Sequence, residues 1–127
     1  MTVYGYLDFM ARLRGVPDRA EEIERVMARV SIDNRADDLI GQLSKGLRQR
    51  VGIAQALVHD PEVIILDEPT IGLDPRQIKE VRGLIRELGG DHTILLSTHV
   101  LPEAEQVCDR ILIINRGRIV ASDALEL

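Results

Sequence analysis

Two adjacent carboxylates, Asp67 and Glu68, follow directly on the apolar run Val63-Ile64-Ile65-Leu66, and Pro69-Thr70 breaks the chain immediately afterwards. A short apolar run of this kind reads as a buried strand, and open α/β sheets bind ligands at the carboxyl ends of their strands. Two like charges side by side at a strand tip repel each other unless a cation or a reacting proton separates their roles. There, Asp67 would hold a hydrated Mg²⁺ and Glu68 would accept a proton from an attacking water, the equipment of nucleotide hydrolysis. The alternative is an exposed, inert acidic turn.

Three further sites bear on the same chemistry. Ser44-Lys45-Gly46 opens a strongly patterned helix. Free amides at a helix start, a hydroxyl and the Lys45 ammonium would together attract an anion, although Ser44 also serves as a plain N-cap. Ile71-Gly72-Leu73-Asp74-Pro75 is a turn that delivers a third carboxylate to a helix start with proline at the first helical position. Asp74 is either a cap or a contact residue. His99 follows Leu95-Leu96-Ser97-Thr98, a second apolar strand. If both strands share a parallel sheet, His99 emerges on the same edge as Glu68, where an imidazole would hydrogen-bond a terminal phosphate. His59 and His92 fall in loops and carry only structural readings; three histidines so dispersed do not form a zinc site.

The remaining pattern shows what positions these groups. Val3, Leu7, Met10 and Leu13 mark an amphipathic helix that ends at Gly15-Val16-Pro17. Asp18 with Glu21 reads as an N-cap arrangement before a second stripe, Ile23, Val26, Met27 and Val30. Ser31 to Asp38 is polar and turn-like. A helix from Ser44 to about His59 carries Leu47, Val51, Ala54 and Leu57 or Val58 on one face and stops at Asp60-Pro61. Then strand and helix alternate: Val63–Leu66, helix Pro75–Leu88, strand Thr93–Leu96, helix Pro102–Cys108 and strand Ile111–Ile114. Asn115-Arg116-Gly117 turns into a hairpin partner over Arg118–Ala121. Such alternation predicts an α/β fold with parallel pairing and flanking helices. Residues 1–60 are expected to form a helical subdomain and 61–127 the C-terminal half of an α/β core.

Composition narrows the partners. The chain has 127 residues, 45% of them hydrophobic, with a net charge of −5. Acidity and the scarcity of aromatics (Tyr4, Tyr6 and Phe9 only) argue against nucleic acid as a partner. Cys108, the single cysteine, allows no internal disulfide and reads as a small buried thiol in a reducing compartment. No apolar stretch reaches the ~20 residues of a membrane span, and the N-terminus lacks a secretory pattern, so the expected location is cytoplasmic.

Together, in this order, these segments resemble the ATP-binding cassette (ABC) ATPases. Ser44–Gly46 is similar to the family's signature motif, Val63–Glu68 to its Walker B strand with the catalytic glutamate, Ile71–Asp74 to its D-loop and His99 to its switch histidine. The spacing of Ser44 and Asp67 suits that family. The Leu43-Ser44-Lys45-Gly46 form most resembles the bacterial multidrug, natrium-efflux and gliding-motility exporter branch. Lys45 and Leu47 depart from the family's usual Gly and Gln. The resemblance implies a partial P-loop NTPase fold and ATP with Mg²⁺ as ligands. It implies Glu68 and His99 as catalytic residues, Asp67 at the metal, and Ser44, Lys45, Gly46 and Asp74 at the nucleotide. It also implies a second nucleotide-binding subunit, a copy of the same chain in a homodimer, and a transmembrane subunit at the inner face of the membrane.

The phosphate loop G-x-x-x-x-G-K-[ST] does not occur, and the two lysines, Lys45 and Lys79, do not follow a glycine. The expectation is therefore the C-terminal portion of such an ATPase, with weak or no ATP binding by itself. Bare strand edges would make it self-associate, for example as a swapped dimer. An alternative is a non-catalytic interaction protein that donates its signature helix to a partner ATPase. A chromosome-maintenance ATPase is disfavoured by the acidic charge and the absence of a heptad run.

Overall fold

The computed structural model describes residues 1–124, with side chains described through Ala121; residues 125–127 of the expected second half lie outside the described residues. Helices α1 (Val3–Leu13), α2 (Arg19–Arg29) and α3 (Lys45–Leu57) come first, with a single 3₁₀ turn at Ile40–Gln42 before α3. They are followed by β1 (Val63–Asp67), α4 (Pro75–Leu88), β2 (Thr93–Ser97), α5 (Leu101–Val107), β3 (Arg110–Asn115) and β4 (Arg118–Ala124).

Helices α1, α3 and α4 start where the sequence supplies a side-chain acceptor for free amides. Thr2 accepts from the Gly5 amide at 3.0 Å and opens α1. Ser44 accepts from the Leu47 amide at 3.2 Å and opens α3. Asp18 departs from expectation. It sits in the left-handed region at φ 52° and makes no side-chain cap, so the Asp18–Glu21 spacing does not mark a capping box; its carbonyl accepts from Glu22 instead. Aspartate tolerates this conformation better than most residues, and here it reverses the chain after Gly15 and Pro17. Asp8 on α1 then ties the two helices together. Arg19 donates to one oxygen at 3.0 Å and Arg12 pairs with the other at 3.0 Å. The Arg19 hydrogen bond, helped by Arg12, holds the Asp8 carboxyl below its ordinary pKa.

One apolar cluster links the helices to the sheet. It contains Val3, Leu7 and Ala11 of α1, Ile23, Val26 and Met27 of α2, Val51, Ile53, Ala54 and Leu57 of α3, Ile64 and Leu66 of β1, and Val81, Leu84, Ile85 and Leu88 of α4. The α1 stripe turns onto Ala11 rather than Leu13, which is exposed. In the polar Ser31–Asp38 segment Ile32 is fully buried, an anchor that the surrounding charges obscured.

Strands β1 and β2 pair in parallel, Val63 opposite Thr93 through Asp67 opposite Ser97. This β–α–β arrangement is the one the alternation predicted. The strands are not buried on both faces, however. Ile64 and Leu66 point into the cluster and Ile94 and Leu96 pack against it, whereas Val63 (55%), Ile65 (70%) and Leu95 (56%) are exposed. Helices α3 and α4 cover one face only among the described residues. Strands β3 and β4 form a separate antiparallel pair, longer than expected, and do not extend the β1–β2 sheet. The C-terminal hairpin expected from Asn115-Arg116-Gly117 is thus present, as a second two-stranded sheet beside the parallel pair's own. Cys108 is half-buried, and its burial raises the thiol pKa, in keeping with an inert residue.

Candidate functional site

The register Asp67–Ser97 brings the carboxyl ends of β1 and β2 level, so the residues just beyond them meet. Ser97 Oγ donates to Asp67 Oδ1 and fixes that carboxylate at the strand tip. The next amide, Glu68 N–H, donates to Ser97 O at 2.9 Å and also lies 3.2 Å from Ser97 Oγ. Glu68 itself adopts φ 49°. A non-glycine residue in the left-handed region costs about 1–3 kcal/mol and persists only where its surroundings hold it. Here the hold is the Ser97 pair of acceptors, the buried ring of Pro69, and the Ile71 amide donating to Glu68 O at 3.2 Å. The kink ends the strand at Asp67 and brings the Glu68 carboxylate to His99.

His99 Nδ1 lies 2.8 and 2.9 Å from the two Glu68 oxygens, so the Nδ1–H is shared between them. That contact assigns the proton to Nδ1 in the neutral ring and leaves Nε2 without a protein partner among the described residues. The Glu68 hydrogen bond, then its negative charge, raises the His99 pKa above the ordinary 6.5. The ring is 69% exposed and Glu68 30%, which leaves both open to a ligand from solvent. Thr70 donates to Glu103 Oε2 at 2.5 Å and ties the turn after Glu68 to α5, behind His99.

Asp67, Glu68 and His99 therefore share one strand-end cluster. No group of three or more His, Cys, Asp or Glu side chains that could form an all-protein cage exists among the described residues. Asp67 fits the other mode of Mg²⁺ binding, in which one carboxylate, waters and phosphate oxygens complete the shell.

Ser44, Gly46 and Asp74 come together in a second place, an open groove that also involves Leu47, Arg50 and Gln77. Neither Asp67 nor Glu68 nor His99 lines it. Asp74 caps α4 by accepting from the Gln77 amide at 2.9 Å, and Gln77 Oε1 accepts from the Asp74 amide at 3.3 Å in a reciprocal box. Arg50 and Arg76 in the groove are both committed to Glu80, at 3.4 Å each. Lys45 lies across the turn beside the groove, its Nζ 2.8 Å from where a side chain on Gly72 would begin. No carboxylate neutralises that ammonium among the described residues.

Ser97 and Gln77 were not singled out from sequence. Both were accessible: parallel pairing of the two strands sets Ser97 beside Asp67, and Asp74-x-x-Gln77 has the capping-box spacing. His59 and His92 keep structural roles. His92 Nδ1 donates to Pro61 O at 2.6 Å and closes the loop before β1. Burial, followed by the Arg14 charge, lowers the His59 pKa.

Comparison with known proteins points to one family. A family model described as ABC transporter matches residues 3–71. The uncharacterized ABC transporter ATP-binding protein YxlF of Bacillus subtilis is 44% identical over 121 residues, which span 94% of this chain and 41% of YxlF. The bacitracin transport ATP-binding protein BcrA of Bacillus licheniformis is 43% identical over 112 residues, 87% of this chain and 36% of BcrA. Among solved structures, cbiO1 from Clostridium perfringens, part of the ABC transporter complex cbiONQ, superposes with a TM-score of 0.88 at 31% identity. That superposition covers 97% of this chain and 51% of cbiO1. The chain thus spans about two fifths of the curated relatives' length and about half of the solved structure.

Proposed function

Because this chain belongs to the ABC transporter family, as part of its ATPase domain, we propose that it supplies the hydrolytic end of one ATP site and the signature face of another. The observation that carries this reading is His99 Nδ1 set across both oxygens of Glu68, beside Asp67, at the level ends of two parallel strands. Glu68 accepts the proton of the attacking water as the general base. His99 orients Glu68 through Nδ1 and offers Nε2 to the terminal phosphate once that ring position is protonated. Asp67, already fixed by Ser97, is the residue that would hold Mg²⁺; the ion, when bound, neutralises charge developing on the phosphate oxygens.

Ser44, Lys45, Gly46 and Asp74 lie in or beside the separate groove, which supports their service to a second nucleotide, held by another subunit. ATP is then a clamp between two subunits, and hydrolysis releases it. The nucleotide-binding partner in this reading is a homodimer mate, and a transmembrane subunit receives the motion. No helix of the described residues is long and apolar enough to cross a membrane; the place that goes with a transmembrane partner of this kind is cytoplasmic, peripheral to the membrane's inner face. Residues 1–60 serve as the helical subdomain and the segment from residue 61 onward as part of the ATP-binding core. The exposed Val63, Ile65 and Leu95 support further protein packing on the open face of β1–β2.

The test joins this chain to an upstream segment that carries a glycine-rich phosphate loop. The joined protein is expected to hydrolyse ATP, and Glu68→Gln to abolish turnover while leaving ATP binding intact. Normal turnover by that variant would remove Glu68 from the mechanism. A joined protein that folds and binds ATP without hydrolysing it would favour the non-catalytic alternative, a donor of the signature helix.

A further inference from the structure

The start of α3 and the turn before α4 are locked together by side chains that occupy the space a glycine leaves empty. Gly46 is buried, and a methyl group added to it would stand 2.7 Å from Gln77 Nε2 and 3.0 Å from Gln77 Cδ. The same Gln77 amide accepts from the Asp74 backbone through Oε1, so it cannot swing off Gly46 without loosening Asp74. At the other side of the junction the Lys45 stem and ammonium lie over Gly72, whose φ of +74° no side chain adopts cheaply. Each of the two elements thus places a long side chain on a glycine of the other.

We propose that Gln77 is a positioning residue that transmits the location of the Ser44–Gly46 helix start to the turn that carries Asp74. Its amide bridges the two: one end rests on the Gly46 backbone and the other holds the Asp74 N–H. A displacement of the α3 start, such as phosphate contact at Ser44 would cause, reaches the Asp74 N–H through Gln77, whereas the Lys45 contact bears on Gly72, two residues earlier in the turn. The functional weight of this coupling rests on the reading of Ser44 and Asp74 as nucleotide contacts. The coupling itself does not, and it is measured without nucleotide.

Amide hydrogen exchange on the 127-residue chain, read residue by residue by NMR, tests it. Gly46→Ala forces the Gln77 amide aside and should speed exchange at Asp74 about three- to tenfold, the range set by one neutral hydrogen bond. Amides in the centre of β1 should be unchanged, which separates the effect from a general loss of stability. Gln77→Ala should speed Asp74 exchange by itself, and adding Gly46→Ala to it should change nothing further. Gln77→Glu, which keeps an acceptor oxygen, should restore protection at Asp74. The proposal is overturned if Gly46→Ala leaves Asp74 within about twofold of the parent chain, or acts equally with and without Gln77, since the path would then bypass the side chain. Loss of nucleotide hydrolysis in the joined protein would bear on Glu68 and leave this result untouched.

Discussion

Neighbouring residues Ile64 and Ile65 are chemically identical, yet the structure assigns them opposite energetic weights. Ile64 is 2% exposed among α3 and α4 side chains, whereas Ile65 is 70% exposed on the open face. Replacing Ile64 with alanine removes three buried carbons, about 2.4 kcal/mol at roughly 0.8 kcal/mol each. A residual cavity adds to this, so a loss of about 3 kcal/mol is expected, within the usual range of about 2–5 for such truncations. Ile65 keeps less than a third of its surface in contact, so the same change should cost about 0.7 kcal/mol from burial. The gap of about 2 kcal/mol corresponds to a roughly 30-fold difference in the unfolding equilibrium. Urea denaturation followed by far-UV circular dichroism measures it, with equal slopes confirming that both variants unfold from comparable states. Equal losses for the two positions would refute one-sided burial of β1. They would mean that a second copy or another segment covers the Ile65 face in solution, and the bare sheet face described above would not exist.

Two further outcomes concern the strand-end cluster. In an NMR titration His99 should show its midpoint above the ordinary histidine value and His59 below it, and Glu68→Gln should bring the His99 midpoint down. Because folding raises the His99 pKa, the pair's contribution to stability is full below the unfolded-state value of about 6.5 and disappears as pH rises through the raised one. An unshifted His99 in the parent chain would remove the ion pair from solution. Ser97→Ala should also lower the His99 midpoint, although it alters neither ionisable side chain, since Ser97 Oγ helps hold the Glu68 backbone in its kinked conformation; Thr93→Ala, at the other end of β2, should leave it in place.

Much of this was legible in the residues, for identifiable reasons. Helix starts at Ser44 and Asp74 are local chemistry, a side-chain oxygen three residues before a free amide, and both formed as expected. The meeting of Glu68 and His99 followed from two short apolar runs joined by a helix, because that connection requires parallel pairing and levels the strand ends. What escaped depended on distant neighbours. A run such as Val63–Leu66 is equally apolar at every position, so nothing in it distinguishes the covered face from the open one. Strand order is similarly invisible, since β3 and β4 have all the signals of strands and none of which sheet they join. The Asp18 cap failed because a left-handed residue and an N-cap favour the same side chain. Only the preceding turn decides between them.

The left-handed Glu68 links the fold to the chemistry. An extended residue there would continue β1, and the side-chain alternation of a strand would send the carboxylate to the face opposite Asp67. The kink ends that alternation, so two consecutive acids serve one site: Asp67 stays tied to Ser97 while Glu68 turns to His99. The acceptors that hold the Glu68 amide in the kink come from Ser97 of β2, the strand that also leads to His99. Pairing of β1 with β2 is therefore what assembles Asp67, Glu68 and His99, and any change that slips this register by one residue would separate all three. The groove residues Ser44, Gly46 and Asp74 depend on a different contact, that of α3 with α4. Different contacts within one apolar cluster thus position the two sets of residues, and the proposed function assigns a separate nucleotide to each.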